Sequence, residues 1–180
     1  MRNTSIILLL ITALSAKAEA QKGEKSIAAG LLVAFPVNHT VYSDYRTWNI
    51  GVGLEAIGQY NFTKKSAALL QLQLTRFTGY RYYYYDNNRY THHSTSFISL
   101  SLKGGYRYQF TTTGFYANVL VGVEQGGRGY YNTSTALGVG KRFPVKDIYF
   151  IDAGLDYVSG NINRYNIKAV FSLRRRPKVN

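Results

Sequence analysis

Three histidines, His39, His92 and His93, are the side chains best suited to proton transfer near neutral pH. Hydroxyls and carboxyls lie close to them in sequence. Ser43 and Asp44 follow His39, and Asp86, Ser94 and Ser96 flank the histidine pair. These are the residue types of a nucleophile–base–acid triad, but no spacing among them specifies one, and Ser, Asp and His are ordinary loop residues. Adjacent side chains on an extended segment point apart, so His92 and His93 are poorly placed to share a metal ion. The chain has no Cys, which removes a thiolate nucleophile, a thiolate zinc site and a disulfide scaffold together. No catalytic residue, metal ligand set or cofactor site is assigned from the sequence.

A second set is better organised. Glu55, Glu124, Asp152 and Asp156 balance Lys103, Arg107, Arg142 and Lys168. All eight fall on the polar faces of segments that alternate with period two, the signature of β-strands. The segments are 27–37, 48–60, 66–77, 95–110, 115–125, 133–143, 148–158 and 165–174. In 66–77, Leu70, Leu72 and Leu74 oppose Gln71, Gln73 and Thr75; in 115–125, Val119, Val121 and Val123 oppose Asn118, Gly122 and Glu124. Eight such strands predict an all-β, antiparallel up-and-down barrel. If the large apolar side chains point inward, the barrel is soluble. If they point outward, it spans a membrane, and the small and charged residues fill its lumen. Balanced charges and abundant glycine favour the second reading, because bare charges are costly in a closed interior and small residues leave room. The eight charged residues are then a lumen network. Asp156 is expected to meet Lys168 on the next strand, and Glu55 to meet Lys103, Arg107 or Arg142.

The chain of 180 residues carries a formal charge of +13, with 17% charged and 15% aromatic residues. This composition is a poor match to disorder. Residues 1–20 read as a cleaved signal peptide: a basic start at Arg2, an apolar run from Ile6 to Leu14, and Ala18-Glu19-Ala20 before Gln21. That run is too short to anchor the chain in a membrane. Export argues against nucleic acid as the partner of the positive charge. The expected partition is signal peptide 1–20, barrel 21–173 and basic periplasmic tail 174–180.

With the first strand rising from the periplasm, the outward connections are 38–46, 80–93, 126–132 and 159–164. The inward ones are 61–65, 111–114 and 144–147, each shorter, as in outer-membrane barrels. Strand direction then sorts the aromatics into two belts suited to the headgroup levels. Tyr60, Tyr108, Phe110, Phe115, Phe143, Tyr149 and Phe171 lie near one end, and Phe35, Trp48, Tyr157 and Tyr165 near the other. Arg76 and Lys141 are the lipid-facing charges, placed at strand ends where they snorkel. Tyr80, Arg81, Tyr82, Tyr83, Tyr84, Tyr85, Arg89 and Tyr90 make the 80–93 connection a candidate binding loop, since Tyr and Arg combine large contact area with polar tips. Tyr130, Tyr131 and Arg128 extend this cap. The same stretch also reads as an extracellular hairpin turned at Asp86-Asn87-Asn88. Arg46, Arg81, Arg89, Arg128 and Arg164 at the outer rim suit lipopolysaccharide phosphates.

Over residues 26–173 the sequence resembles the small eight-stranded porin-family barrels of Gram-negative outer membranes, the OmpA/OmpX-like group. The resemblance rests on the leader, the glycine-rich alternation of Trp48-Asn49-Ile50-Gly51-Val52-Gly53-Leu54, the strand Phe115–Glu124, and the aromatic end Phe171-x-Leu173. Here that end is followed by Arg174-Arg175-Arg176-Pro177-Lys178-Val179-Asn180 instead of closing the chain. The resemblance implies an outer-membrane location, outer-membrane lipid as surroundings, and insertion by the barrel-assembly machinery. It further implies a plugged or very narrow lumen and a structural or surface-interaction role without enzymatic activity. Two other readings stand beside it: a soluble exported lipocalin-like ligand-binding barrel, and an outer-membrane enzyme that modifies lipid A.

Overall fold

Strict alternation of branched or aromatic with polar or small residues leaves each segment one oily and one wet face, and an extended chain is the conformation that separates them. The computed structural model describes residues 22–37, 40–41, 46–85, 89–110, 114–126, 130–146 and 149–175. Among these residues nine strands form: β1 Lys25–Pro36, β2 Thr40–Val41, β3 Arg46–Asn61, β4 Ser66–Tyr85, β5 Arg89–Phe110, β6 Phe115–Gln125, β7 Tyr131–Lys146, β8 Tyr149–Ser159 and β9 Arg164–Arg175. The two-residue β2 pairs only with the start of β3. The other eight are staves, each antiparallel to the next in chain order. β1 pairs with both β3 and β9, so the ring closes on itself. Closure satisfies every edge, the condition for a sheet surrounded by lipid. Short connections join the staves at the end where the chain enters. Gly114 takes φ 74 just before β6, a left-handed conformation that glycine adopts without strain. Between β3 and β4, Thr63 Oγ1 accepts hydrogen bonds from the amides of Lys65 (3.1 Å) and Ser66 (3.0 Å).

The faces are inverted relative to a soluble protein. Leu70 and Val121 are 59% and 58% exposed on the outer surface, and Ile27 reaches 74%. Glu55, Lys103, Glu124 and Asp156 are buried within the ring. This overturns the lipocalin-like alternative, which needs Leu70, Leu72, Val119 and Val121 turned inward. Among the described residues, buried apolar side chains gather in two small clusters. One is built on Ala28, Ile57, Leu69, Leu120 and Val170, and the other on Leu32, Ala34, Trp48, Phe77 and Ile162.

Three sequence expectations are decided or changed. Of the two readings of 80–93, the hairpin holds: β4 and β5 stay paired from Ser66↔Tyr108 to Tyr85↔Arg89, so only residues 86–88 lie between them. Tyr and Thr are good strand formers, and no Gly or Pro interrupts either side of the ladder between 80 and 93. This outward connection is therefore shorter than the inward 62–65, and the length rule fails there. Pairing of β5 with β6 begins only at Leu100↔Gln125. The first half of the 22-residue β5 thus rises with β4 above the neighbouring stave.

Trp48 is the second change. It is buried, with its ring 5.4 Å from that of Phe97. Trp48 pairs with Gly79 and Gly51 with Phe77, so β3 spends one more residue than β4 over this interval. A bulge of this kind reverses the in/out parity of what precedes it, and Trp48 turns from the lipid side to the lumen. The third change is at the end of β9, which continues past Leu173 to Arg175. Arg174 turns inward to an ion pair with Glu24, so the basic run beginning at 174 starts inside the barrel wall.

Candidate functional site

The interior is a stack of charged layers, each assembled from strands far apart in sequence. In the lowest layer Arg174 pairs with Glu24, joining the last stave to the residue preceding the first. Above it, Asp152 on β8 accepts from two guanidinium groups. Arg142 on β7 grips it with both arms, Nε to Oδ1 at 2.7 Å and Nη2 to Oδ2 at 2.8 Å. Arg107 on β5 reaches across to Oδ2 at 2.9 Å. Gln59 on β3 accepts from both arginines through Oε1, at 3.0 and 3.1 Å. The Arg107 guanidinium lies 3.9 Å from the centre of the Tyr116 ring, so the second cation is also held by a π face. Tyr116 itself lies over Gly140, where a Cβ would run into the phenol ring.

In the middle layer, Lys168 on β9 is shared by two carboxylates. Its Nζ is 2.5 Å from Asp156 Oδ2 on β8 and 3.2 Å from Glu55 Oε1 on β3. Gln71 on β4 donates to the other Glu55 oxygen at 2.8 Å. Gly138 on β7 clears the space beside Asp156; a Cβ there would strike the carboxylate. In the upper layer Glu124 on β6 faces Arg164 on β9 at 2.9 Å. Ser99 and Ser134 donate their hydroxyls to Glu124 at 2.6 and 3.2 Å. Arg164 also donates to Gln73 Oε1 at 3.2 Å and to the Ile162 carbonyl at 3.0 Å. Lys103 donates to Ser101 Oγ at 2.7 Å.

All eight charged residues selected from the sequence are buried in the lumen. The structure brings Asp156 to Lys168, and Arg107 and Arg142 to Asp152. Glu55 meets Lys168, not the Lys103, Arg107 or Arg142 expected from sequence, because β1 alone separates β3 from β9 in the closed ring. Arg164 is a clear correction. Assigned to the outer rim as a phosphate ligand, it is fully buried and bound to Glu124. Its parity with Asn166 and Lys168 was the available signal. Glu24, Gln59, Gln71 and Gln73 were missed as network members, though the last three share the inward parity of Glu55 and Thr75.

At the outer end, the ladder pairs Tyr80↔Ser94, Arg81↔His93, Tyr82↔His92, Tyr83↔Thr91, Tyr84↔Tyr90 and Tyr85↔Arg89. The side chains of 81–85 and 89–92 lie outside the described set, as do His39, Ser43, Asp44, Asp86 and Arg128. No triad is therefore placed by this geometry. Among the described residues no group of three His, Cys, Asp or Glu side chains is arranged to hold a metal.

The exterior carries its aromatics in pairs. Tyr149 stacks on Phe171 at 5.5 Å and Tyr108 meets Phe110 edge-on at 5.3 Å near the turn end, while Tyr157 packs on Tyr165 at 5.3 Å near the other. Lys141 has outward parity but is covered, its ammonium 4.8 Å from the centre of the Phe115 ring. Arg76 is exposed.

No protein-family model matches the chain, and no curated protein matches its sequence. Solved structures do match. The attachment invasion locus protein Ail of Yersinia pestis superposes with TM-score 0.57 at 18% identity, over 86% of this chain and 100% of that one. The same protein in complex with the heparin analogue sucrose octasulfate gives TM-score 0.57 at 17% identity, with the same coverage. The outer membrane protein OprG of Pseudomonas aeruginosa gives TM-score 0.60 at 11% identity, over 87% and 98%. The closed ring of eight staves, the apolar exterior around a charged interior and this likeness together identify the fold as that of the small eight-stranded outer-membrane β-barrels, the OmpA/OmpX-like architecture.

Proposed function

We propose that the protein is an integral outer-membrane barrel whose lumen is closed by its own side chains and which acts through its outer end rather than by catalysis. The observation that carries this reading is the cross-bracing of the interior. Arg107 and Arg142 converge on Asp152, Lys168 joins Asp156 to Glu55, and Arg164 seals against Glu124, so ion pairs cross the bore at successive levels. An eight-strand ring is about wide enough to be filled by side chains alone. Solutes do not pass; the braces make a stiff plug that holds the outer rim.

In this reading the leader directs export, the Phe171-x-Leu173 end engages the assembly machinery, and the short connections face the periplasm. The raised β4–β5 hairpin faces outward with the Tyr80–Tyr85 and Arg89–Tyr90 segments as its contact surface. The chain's charge of +13 favours acidic partners, among them lipopolysaccharide phosphates and anionic surface polymers. Membrane fractionation followed by gel electrophoresis of unheated and boiled protein tests the location. Recovery in the outer membrane with a heat-dependent mobility shift is expected, and a soluble protein without a shift sinks the proposal. Liposome swelling tests the plug, and influx of small sugars would refute it. Shortening the hairpin between Tyr80 and Ser94 tests the contact surface. Surface binding that survives the deletion unchanged would move the site elsewhere.

A further inference from the structure

We infer that the outer wall carries a binding site for a lipid with a phosphate headgroup, centred on Arg76. The bulge that turns Trp48 inward leaves both Asn49 and Ile50 on the exterior, beside Thr78 of the next stave. Below Thr78, Arg76 projects outward on β4. Across the β4–β5 ladder, Ser96 stands opposite Thr78, and Ser94 opposite Tyr80. Asn49, Arg76, Thr78, Tyr80, Ser94 and Ser96 line a groove of about 280 Å³.

Three features give the ligand its chemistry. First, the groove is lined by one guanidinium, several hydroxyls and a carboxamide, with no carboxylate among its lining residues. Arg76 forms no ion pair among the described residues, although most of the lumen cations do. An arginine fork with hydroxyl donors around it fits phosphate oxygens better than a single point charge would. Second, Arg76 faces the lipid, where a charge is tolerated only near the interface, so its anion must come at headgroup level. Third, the wall beside and below Arg76 is oily: its ladder partners Val52 and Ile98, and the next outward pair Leu74 and Leu100, are all exposed. A ligand with its phosphate on Arg76 lays its chains on that surface, and this selects an amphiphile over free phosphate.

The inference rests on the outer-membrane reading, and its test separates the two. Native mass spectrometry of the refolded barrel in detergent micelles would compare phosphatidic acid, a diacylglycerol with the same chains, and inorganic phosphate. Phosphatidic acid is expected to bind at least tenfold more tightly than diacylglycerol, with inorganic phosphate failing to displace it. Arg76→Gln lowers that affinity fivefold or more, and Arg76→Lys falls between. Lys64→Gln, at an exposed position in the β3–β4 turn, leaves it unchanged. The heat-dependent mobility shift of each variant reports that the barrel is closed. Equal binding of diacylglycerol, displacement by inorganic phosphate, or an unaffected Arg76→Gln in a barrel that retains its shift overturns the Arg76 site alone. Loss of the shift in the unmodified protein overturns the outer-membrane reading instead.

Discussion

Arg164 and Glu124 are 40 residues apart in sequence, yet Nη1 of the first lies 2.9 Å from Oε1 of the second with both side chains sealed from solvent. They come from β9 and β6, which are not neighbours in the ring, so this ion pair spans the lumen instead of following the sheet. Removing one partner of a buried pair strands the other charge, at about 3–5 kcal/mol. Glu124→Gln and Arg164→Gln should each lower barrel stability by that order. The double variant Glu124→Gln/Arg164→Gln should lose clearly less than the sum of the two single changes. Urea unfolding in micelles, followed by the mobility shift, measures all three, and additive losses would show that the two side chains are not coupled.

Lys168 serves two carboxylates, so its loss should cost more than the loss of either. Lys168→Met leaves Asp156 and Glu55 facing each other without a cation. Glu55→Gln leaves the closer Lys168–Asp156 pair intact. The expected order of destabilisation is Lys168→Met, then Asp156→Asn, then Glu55→Gln, with the first on the order of 3–5 kcal/mol or above. Melting of the folded band on unheated gels ranks them. A Glu55→Gln variant as unstable as Lys168→Met would contradict the shared geometry.

Two glycines should respond oppositely to alanine. At Gly138 the new methyl strikes the Asp156 carboxylate, and overpacking of this kind costs about 1–3 kcal/mol. At Gly58 the nearest atom to a new methyl is the Leu70 carbonyl oxygen at 4.0 Å, so Gly58→Ala should be neutral within about 0.5 kcal/mol. The comparison uses the same unfolding assay, and a neutral Gly138→Ala would mean that the Asp156–Lys168 layer repacks freely.

Trp48 is the only tryptophan, and its inward position makes it an optical probe of the bulge. In vesicles of lipid brominated on the acyl chains, its fluorescence should be quenched far less than that of a tryptophan introduced at the lipid-facing Leu54. Deleting Asn49 removes the extra residue and returns Trp48 to the lipid side, and quenching should rise. Strong quenching of the unmodified protein would place the ring outside.

The staves and their two faces were legible because alternation is a local property: each residue's side of the sheet follows from its neighbour's. Parity named the eight lumen charges and would also have named Arg164, had β9 been started one step earlier. Three other features were not local. The bulge at Asn49 and Ile50 depends on a count across two strands, so Trp48 carried the wrong side. The partner of Glu55 depends on ring closure, which brings β9 within one stave of β3. The stretch from 80 to 93 read both as a loop and as a hairpin because its aromatic and polar residues fit both a rim and a ladder, and only pairing with the opposite strand decides between them.

The clasp of Glu24 with Arg174 joins residues 150 apart in sequence, beside the seam where β1 meets β9. Bringing such distant segments together is the costliest loop closure in the chain, and no earlier contact can substitute for it. A chain arrested anywhere before β9 would hold an open sheet, with one raw edge on β1 and another on its last finished strand. Each of those edges would pair with whatever extended peptide it met. Sealing the seam is thus the step that turns an adhesive intermediate into an inert cylinder, and it waits on the docking of β9 against β1. Slow closure would show as a long-lived, protease-sensitive species whose lifetime lengthens when Arg174 is replaced.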